Sequence, residues 1–272
     1  MSNLEQIKLG SVQETLLLPL WGRALETQKK QPKLIDQKAV EIINSVGYDF
    51  TTIAKNINKL SLASWISRSI YFDNKIRNFI QLYNNATVVN IGCGLDTTFD
   101  RIDNGKIQWL DIDLPDVIEL RKNYIDETPR RKFIADSIFN QDWYDAIKNK
   151  DHVMFMIAGV LYYFDESEIK KVFYNFINKV PGVEVVFDYS SVNGIKIANK
   201  KVIDNGGMNK AAYLKWGIQN IHDLEKWGNN IKVLDDLRMF GKYKKQFPFY
   251  KRIGMNISDM IRVMSLAHVR VG

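Results

Sequence analysis

Val88-Val89-Asn90-Ile91-Gly92-Cys93-Gly94-Leu95-Asp96-Thr97 is the stretch on which the fold turns. Its first half has the β-branched, apolar character of a buried strand, and Gly-x-Gly then hands the chain to a segment of helical character. Glycine serves where a backbone turns sharply and a ligand comes close, because a Cβ would block both. The helix that opens after such a turn offers unsatisfied N–H groups to a polar or negative ligand. By itself the motif also fits an ordinary α/β crossover, so its meaning depends on the residues downstream.

Those residues include a series of acids. The next apolar run, 107–112, leads through Asp111 to Asp113, about 20 residues beyond the glycines, where a carboxylate can accept both hydroxyls of a ribose. A third acid, Asp136, comes after the third run within Ile134-Ala135-Asp136-Ser137, where it can accept from an adenine amino group. The third glycine of the dinucleotide fingerprint would fall at Thr97 and is missing. That loss speaks against pyrophosphate and for a nucleoside. Three carboxylates at successive strand ends suit an uncharged adenosine and repel phosphates.

Outward from this stretch, short apolar runs at 87–91, 107–112, 132–134, 152–157 and 183–188 alternate with helix candidates at 95–102, 115–124, 141–149 and 165–179. Such alternation implies right-handed βαβ units and a parallel sheet. Asp165 and Glu168 form a capping-box pattern at the start of the last helix. Residues 190–219, with Gly194, Gly206, Gly207 and Gly217, read as an insertion after the fifth strand. A helix at 221–227, a strand at 231–237, a helix at 256–265 and a strand at 267–271 complete the pattern. The expected fold is α/β: a Rossmann-like, seven-stranded, mostly parallel sheet over 86–272. Residues 1–85 read as an N-terminal helical cap. Leucines at helical spacing fill 12–30, where Pro19 implies a kink or break. Asp36 can cap a helix reaching about Ser45, and 60–82 supplies Trp65, Ile66, Ile70, Ile76 and Phe79 at helical spacing.

The chain of 272 residues is 46% hydrophobic and 25% charged, enough to bury a full core. Its apolar runs, such as that near 16–20, fall far short of the roughly 20 residues a membrane span needs. The start has no basic segment leading into an apolar one, so no signal peptide is expected. Cys93 is the only thiol, which excludes an intramolecular disulfide and fits a cytoplasmic setting. The net charge is +7, but the lysines are dispersed. Their densest group, Lys242, Lys244, Lys245, Lys251 and Arg252, is interleaved with aromatics and reads as a solvated loop over a core rather than a single-strand platform. No nucleic-acid or membrane partner is expected, and an anionic small substrate is a further use for the charge.

His152, His222 and His268 are too far apart for metal-ligand spacing, so no metal is expected. Cys93 reads as a small filler of the glycine loop. Met208, Tyr213, Trp216 and Trp227, with Trp21 and Trp65, either roof an acceptor pocket or close the core.

At these residues the chain resembles the leucine carboxyl and polyketide-synthesis O-methyltransferase family. Asn90-Ile91-Gly92-Cys93-Gly94-Leu95-Asp96-Thr97 is similar to its Asn-Leu-Gly-Ala-Gly-x-Asp-Thr motif, and Asp111-Ile112-Asp113-Leu114-Pro115-Asp116-Val117 to its Glu-x-Asp-Leu-Pro-x-Val segment. Further likeness lies in Leu16-Leu17-Leu18-Pro19-Leu20 with Arg23, in Tyr48-Asp49-Phe50, and in Gly159-Val160-Leu161-Tyr162-Tyr163-Phe164. The resemblance implies S-adenosyl-L-methionine as cofactor. It implies that Arg68 holds the cofactor's methionine carboxylate, with Gly92, Cys93 and Gly94 along that tail. It places Asp113, or Asp111, on the ribose, and Asp136 and Ser137 at the adenine edge. Tyr162 and Tyr163 then follow the fourth strand near the transfer point, to orient or deprotonate an acceptor or simply to pack. One position departs: the Glu of the family's Ala-Glu-Gly is Ala158 here. The expected activity is O-methylation of a small carboxylate or phenol, acidic or aromatic and polyketide-like. The alternatives are a protein that binds the cofactor without turnover and an NAD-dependent oxidoreductase.

Overall fold

The computed structural model describes residues 11–46, 48, 50, 59–200, 213–228 and 230–272. Asp49, Gly206, Gly207 and Met208, named above, lie outside the described residues.

Strands β1 (Thr87–Ile91) and β4 (Val153–Ile157) are buried along their whole length. Such strands are covered on both faces, and their side chains alternate between two cores. Val89, Ile91, Phe155 and Ile157 meet Ile169, Val172, Phe173 and Phe176 of the helix Glu166–Lys179. Val88, Met154 and Met156 meet Ile66, Ile76, Phe79 and Ile80 of the helix Lys59–Leu82.

Around them lie β2 (Gln108–Asp113), β3 (Arg131–Ala135), β5 (Val183–Tyr189), β6 (Ile231–Arg238) and β7 (Ser265–Val271). The seven-stranded order is β3-β2-β1-β4-β5-β7-β6. β1 to β5 are mutually parallel, and β7 runs antiparallel between β5 and β6. The chain leaves β1 toward β2 and β3, then returns across it to β4 and β5. Strand order therefore reverses at β1, and a crevice opens beyond the carboxyl ends of β1 and β4.

The helices are α1 (Ser11–Thr27), α2 (Gln37–Ser45), α3 (Lys59–Leu82), α4 (Thr98–Ile102), α5 (Pro115–Lys122), α6 (Glu166–Lys179), α7 (Val192–Ala198) and α8 (Phe249–Met260). Asp36 caps α2, accepting from Ala39 N at 3.0 Å, and at α6 the Asp165 N–H donates to Glu168 at 2.8 Å. α1 and α2 share a small core with Leu95 and Leu120, which sets them against the glycine loop.

The helical boundaries differ from expectation in three places. α1 runs through Pro19 without breaking. The 141–149 helix shrinks to a 3-10 turn, Asp142–Ala146, whose Trp143 and Tyr144 are both buried in the core. The last helix starts at Phe249, directly after Pro248, and ends at Met260. Arg262, at φ 49°, then helps turn the chain into β7. Lys242, Lys244 and Lys245, read as loop, sit on a 3-10 turn, Gly241–Gln246.

Candidate active site

The turn after β1 takes the shape its glycines allow. Gly92 and Gly94 have φ of 68° and 46°, a region costly for other residues. The turn is held from two sides. Gly94 N donates to Asp113 Oδ2 at 2.8 Å, while Arg121 of α5 donates to Gly94 O at 2.7 Å and Asp96 O at 2.9 Å.

The two acids at the end of β2 occupy different surroundings. Asp113 is half-buried and, among the described residues, accepts two backbone N–H groups, from Gly94 and Leu114. Burial pushes its carboxyl above the usual range, the two N–H bonds only partly opposing it. Asp111 is fully buried, and four donors converge on it: Asn90 Nδ2 and Trp109 Nε1 on Oδ1, Arg121 Nη2 and Arg131 Nε on Oδ2, all at 2.8–2.9 Å. Burial opposes its ionisation, yet Arg121 and Arg131 hold it below its ordinary value. Its acceptor positions are filled from the core, so no ribose hydroxyl can reach it. Asp111 instead anchors the arginine that grips the glycine turn.

Asp136 and Ser137, half-buried, follow β3 beside that site. Asp136 N donates to Asp113 O at 2.9 Å, and Asp136 Oδ1 accepts from Ser137 N at 2.7 Å and Asn140 Nδ2 at 2.6 Å. Cys93 is buried, and burial pushes its thiol well up, which suits a filler and not a nucleophile.

Across the crevice, α3 carries Arg68. Its Nη1 donates to Asp188 Oδ2 at 2.8 Å, and Asp188 Oδ1 accepts from Gly159 N at 2.6 Å. Asp188, the next-to-last residue of β5, is inaccessible to solvent, whereas the Arg68 side chain keeps 14% exposure. Gly159, at φ 79°, is needed here for a second reason: a Cβ would stand 3.0 Å from Arg68 Nη1 and 3.2 Å from Tyr162 Oη. Tyr162 is buried and Tyr163 half-buried. Burial raises both phenol pKa values, Asp188 adding to the effect and Arg68 opposing it. Both tyrosines therefore stay protonated near neutral pH.

The histidines are elsewhere. His152 stacks on Tyr83 before β4, His222 pairs with Glu225 in an exposed turn, and His268 pairs with Glu184 near the start of β5. Trp216 is buried in the α6-side core, and Trp227 packs on Phe173 of α6 over a groove of about 530 Å³. Trp21 stacks on Phe50, and Trp65 lies against Gly22.

A family model described as leucine carboxyl methyltransferase matches residues 17–177, from α1 through most of α6. The chain belongs to the leucine carboxyl methyltransferase family. It is thus an S-adenosylmethionine-dependent methyltransferase, and the oxidoreductase alternative falls away. It is 29% identical over 222 residues to the tetracenomycin polyketide synthesis O-methyltransferase TcmP of Streptomyces glaucescens, covering 81% of this chain and 80% of that one. It is 23% identical over 264 residues to the S-adenosyl-L-methionine-dependent methyltransferase dpfgK of Gibberella zeae, covering 88% of each. Among solved structures, a SAM-dependent methyltransferase from Anabaena variabilis shares the fold at TM-score 0.52 and 10% identity, covering 100% of this chain and 99% of that one.

In this methyltransferase the position of the family glutamate, Ala158, packs against the α3-side core. The acid that faces Arg68 comes instead from Asp188, one strand over. Sequence reasoning passed over Asp188 as a strand terminus. The cue was present, since it is an acid closing an apolar parallel strand, as Asp113 is. Arg121, Arg131, Arg23 and Arg101 were also missed, because each acts on a partner at least ten residues away.

Proposed function

We propose that this methyltransferase methylates an oxygen of a small-molecule carboxylate. S-adenosylmethionine, when bound, supplies an electrophilic methyl carbon on a sulfonium, so the protein's task is to hold donor and acceptor in line. Asp113 fits the ribose: it is a carboxylate with two backbone donors, a raised pKa and, among the described residues, no cation at hydrogen-bond distance, and two hydroxyls would complete its shell. Asp136 and Ser137 would edge the adenine. Gly92, Cys93 and Gly94 would run along the methionine tail, and Arg68, steadied by Asp188, would take its carboxylate with the guanidinium edge that Asp188 leaves free.

The observation that carries the acceptor assignment is the lack of a base. Among the described residues at the carboxyl edge of β1, β4 and β5, the tyrosines are held protonated, Asp188 is locked to Arg68, and the three histidines lie elsewhere. A carboxylate arrives already ionised and needs no base, whereas a phenol or alcohol does. Tyr162 and Tyr163 then orient the acceptor by donating to it. The relative from Streptomyces glaucescens, named for O-methylation in polyketide synthesis, supports an oxygen acceptor of that general kind. A cytoplasmic setting is supported by the single thiol.

The test is methyl transfer from labelled S-adenosylmethionine to matched aromatic carboxylates and phenols. The carboxylates should be labelled, and mild alkali should release the label, because methyl esters hydrolyse and aryl ethers do not. Label confined to alkali-stable ethers overturns the assignment. Cofactor binding with no transfer to any acceptor favours the non-catalytic reading, which the change at Ala158 keeps in view.

A further inference from the structure

The face of α8 that points away from the sheet is its apolar one. Met255 and Asp259 pack inward, while Phe249, Tyr250, Ile253, Ile257 and Met260 are exposed, from 54% at Ile257 to 76% at Phe249. At 3.6 residues per turn these five share an arc roughly 100° wide. A helix on a protein surface normally buries such an arc, so α8 is inverted. Single exposed apolar side chains need no explanation, but five on one face form a contiguous patch of a kind that marks an interaction site.

The charge around the patch has one sign. From Arg238 to Ser258 the chain carries Arg238, Lys242, Lys244, Lys245, Lys251 and Arg252 and no acid. Lys244 Nζ reaches Asn256 Oδ1 at 2.7 Å, which lays its cation alongside the arc. Lys251 sits among Lys29, Lys33 and Lys59, and the nearby Glu26 is already paired with Lys29 and Lys33.

We infer that α8 and the Gly241–Gln246 turn form a peripheral docking surface for an anionic lipid bilayer. The apolar arc enters the boundary between headgroups and acyl chains, and the lysines meet lipid phosphates. A second copy of this chain is a poorer occupant, because face-to-face pairing would bring two basic rims together. The convex helix presents protruding side chains to a soft plane. No helix among the described residues is long and apolar enough to cross a membrane, so the association is one of surface. This inference replaces the expectation of no membrane partner and does not depend on the acceptor.

The test is sedimentation of the full chain with phosphatidylcholine vesicles, with and without phosphatidylglycerol. The wild type should pellet with the anionic vesicles, and less so as salt rises. Phe249→Asp with Ile253→Asp should abolish binding, and Lys244→Glu with Lys245→Glu should lower the partition coefficient by roughly tenfold or more. Both pairs should keep the wild-type thermal midpoint, which separates lost binding from lost folding. A wild type that stays in the supernatant overturns the inference, whether light scattering then shows a dimer on this face or a monomer awaiting a protein partner. Equal pelleting of the Phe249/Ile253 variant overturns it as well.

Discussion

Thr97 Oγ1 donates a 2.6 Å hydrogen bond to Asp36 Oδ2, a carboxylate 61 residues earlier in the chain. The same oxygen accepts from Arg23 Nε and Arg101 Nη1, both at 2.7 Å, while Oδ1 caps α2. One buried carboxylate thus ties α1, α2 and α4 to the exit of the glycine turn. This explains why the chain has threonine where a dinucleotide fingerprint has its third glycine: the hydroxyl anchors the N-terminal helices over the crevice.

Removing that carboxylate leaves the buried Arg23 with only a 3.9 Å carboxylate contact, to Asp96, while Arg101 keeps its two bonds to Asp73. Asp36→Ala should therefore cost about 3–5 kcal/mol of stability, read as a lower urea midpoint at unchanged slope. Acid should act on the same pairs. Arg23 and Arg101 hold Asp36 below its unfolded value, as Arg121 and Arg131 hold Asp111. That stability is complete above an unfolded pKa of about 3.9 and is lost as pH falls through the depressed folded values. Asp113 and Asp259, raised by burial, contribute in the opposite sense and soften the fall. Urea midpoints should be level at pH 7 and 5 and drop below pH 4. A midpoint that rises on acidification contradicts the ion-pair account.

The two acids of β2 should separate cleanly. Asp113→Ala should weaken S-adenosylmethionine binding by about 1–3 kcal/mol in calorimetric titration and leave the thermal midpoint near that of the wild type. Asp111→Asn should do the reverse in emphasis: it leaves Arg121 buried without a paired carboxylate and Arg131 with Asp100 alone, at a cost of about 3–5 kcal/mol in stability. Equal cofactor affinity in Asp113→Ala means the ribose is held elsewhere.

The contrast between these acids marks where sequence reading stops. They stand two residues apart on one face of β2, so spacing cannot rank them. What ranks them is Arg121 and Arg131, ten and twenty residues beyond Asp111, arriving from α5 and β3. The sheet was legible because its signals are local: buried apolar runs, the Gly-x-Gly turn, a capping box. Arg68 was legible only by resemblance, since its partner Asp188 lies 120 residues away. α8 was misplaced for a different reason. Phe249, Ile253 and Ile257 recur at helical spacing but face outward, so the usual link between apolar periodicity and a buried face fails there.

Arg68 and Asp188 should act as a unit on the cofactor. Arg68→Lys loses the planar fork and Asp188→Asn loses its anchor, so each alone should weaken S-adenosylmethionine binding by about tenfold, on the scale of a charged hydrogen bond. The double variant should fall short of the summed losses by about 0.5–1.4 kcal/mol, as expected for contacting residues. Strict additivity in calorimetry separates Asp188 from the clamp and reduces it to a strand-end acid.

Proton transfer separates the two kinds of acceptor. Near Arg68, burial raises the phenols of Tyr162 and Tyr163 above their ordinary range, and the Asp188 carboxylate is taken up by Arg68. With a carboxylate acceptor, kcat should be flat from about pH 6 to 9 in the wild type. Tyr162→Phe removes one donor to the acceptor and should lower kcat modestly, by roughly tenfold or less, with the profile still flat. An acidic limb, with kcat rising with pH through an apparent pKa between 6 and 9 and lost in Tyr162→Phe, would make the tyrosine a general base after all. The acceptor would then have to be one that arrives with its proton still on, a phenol in place of the carboxylate.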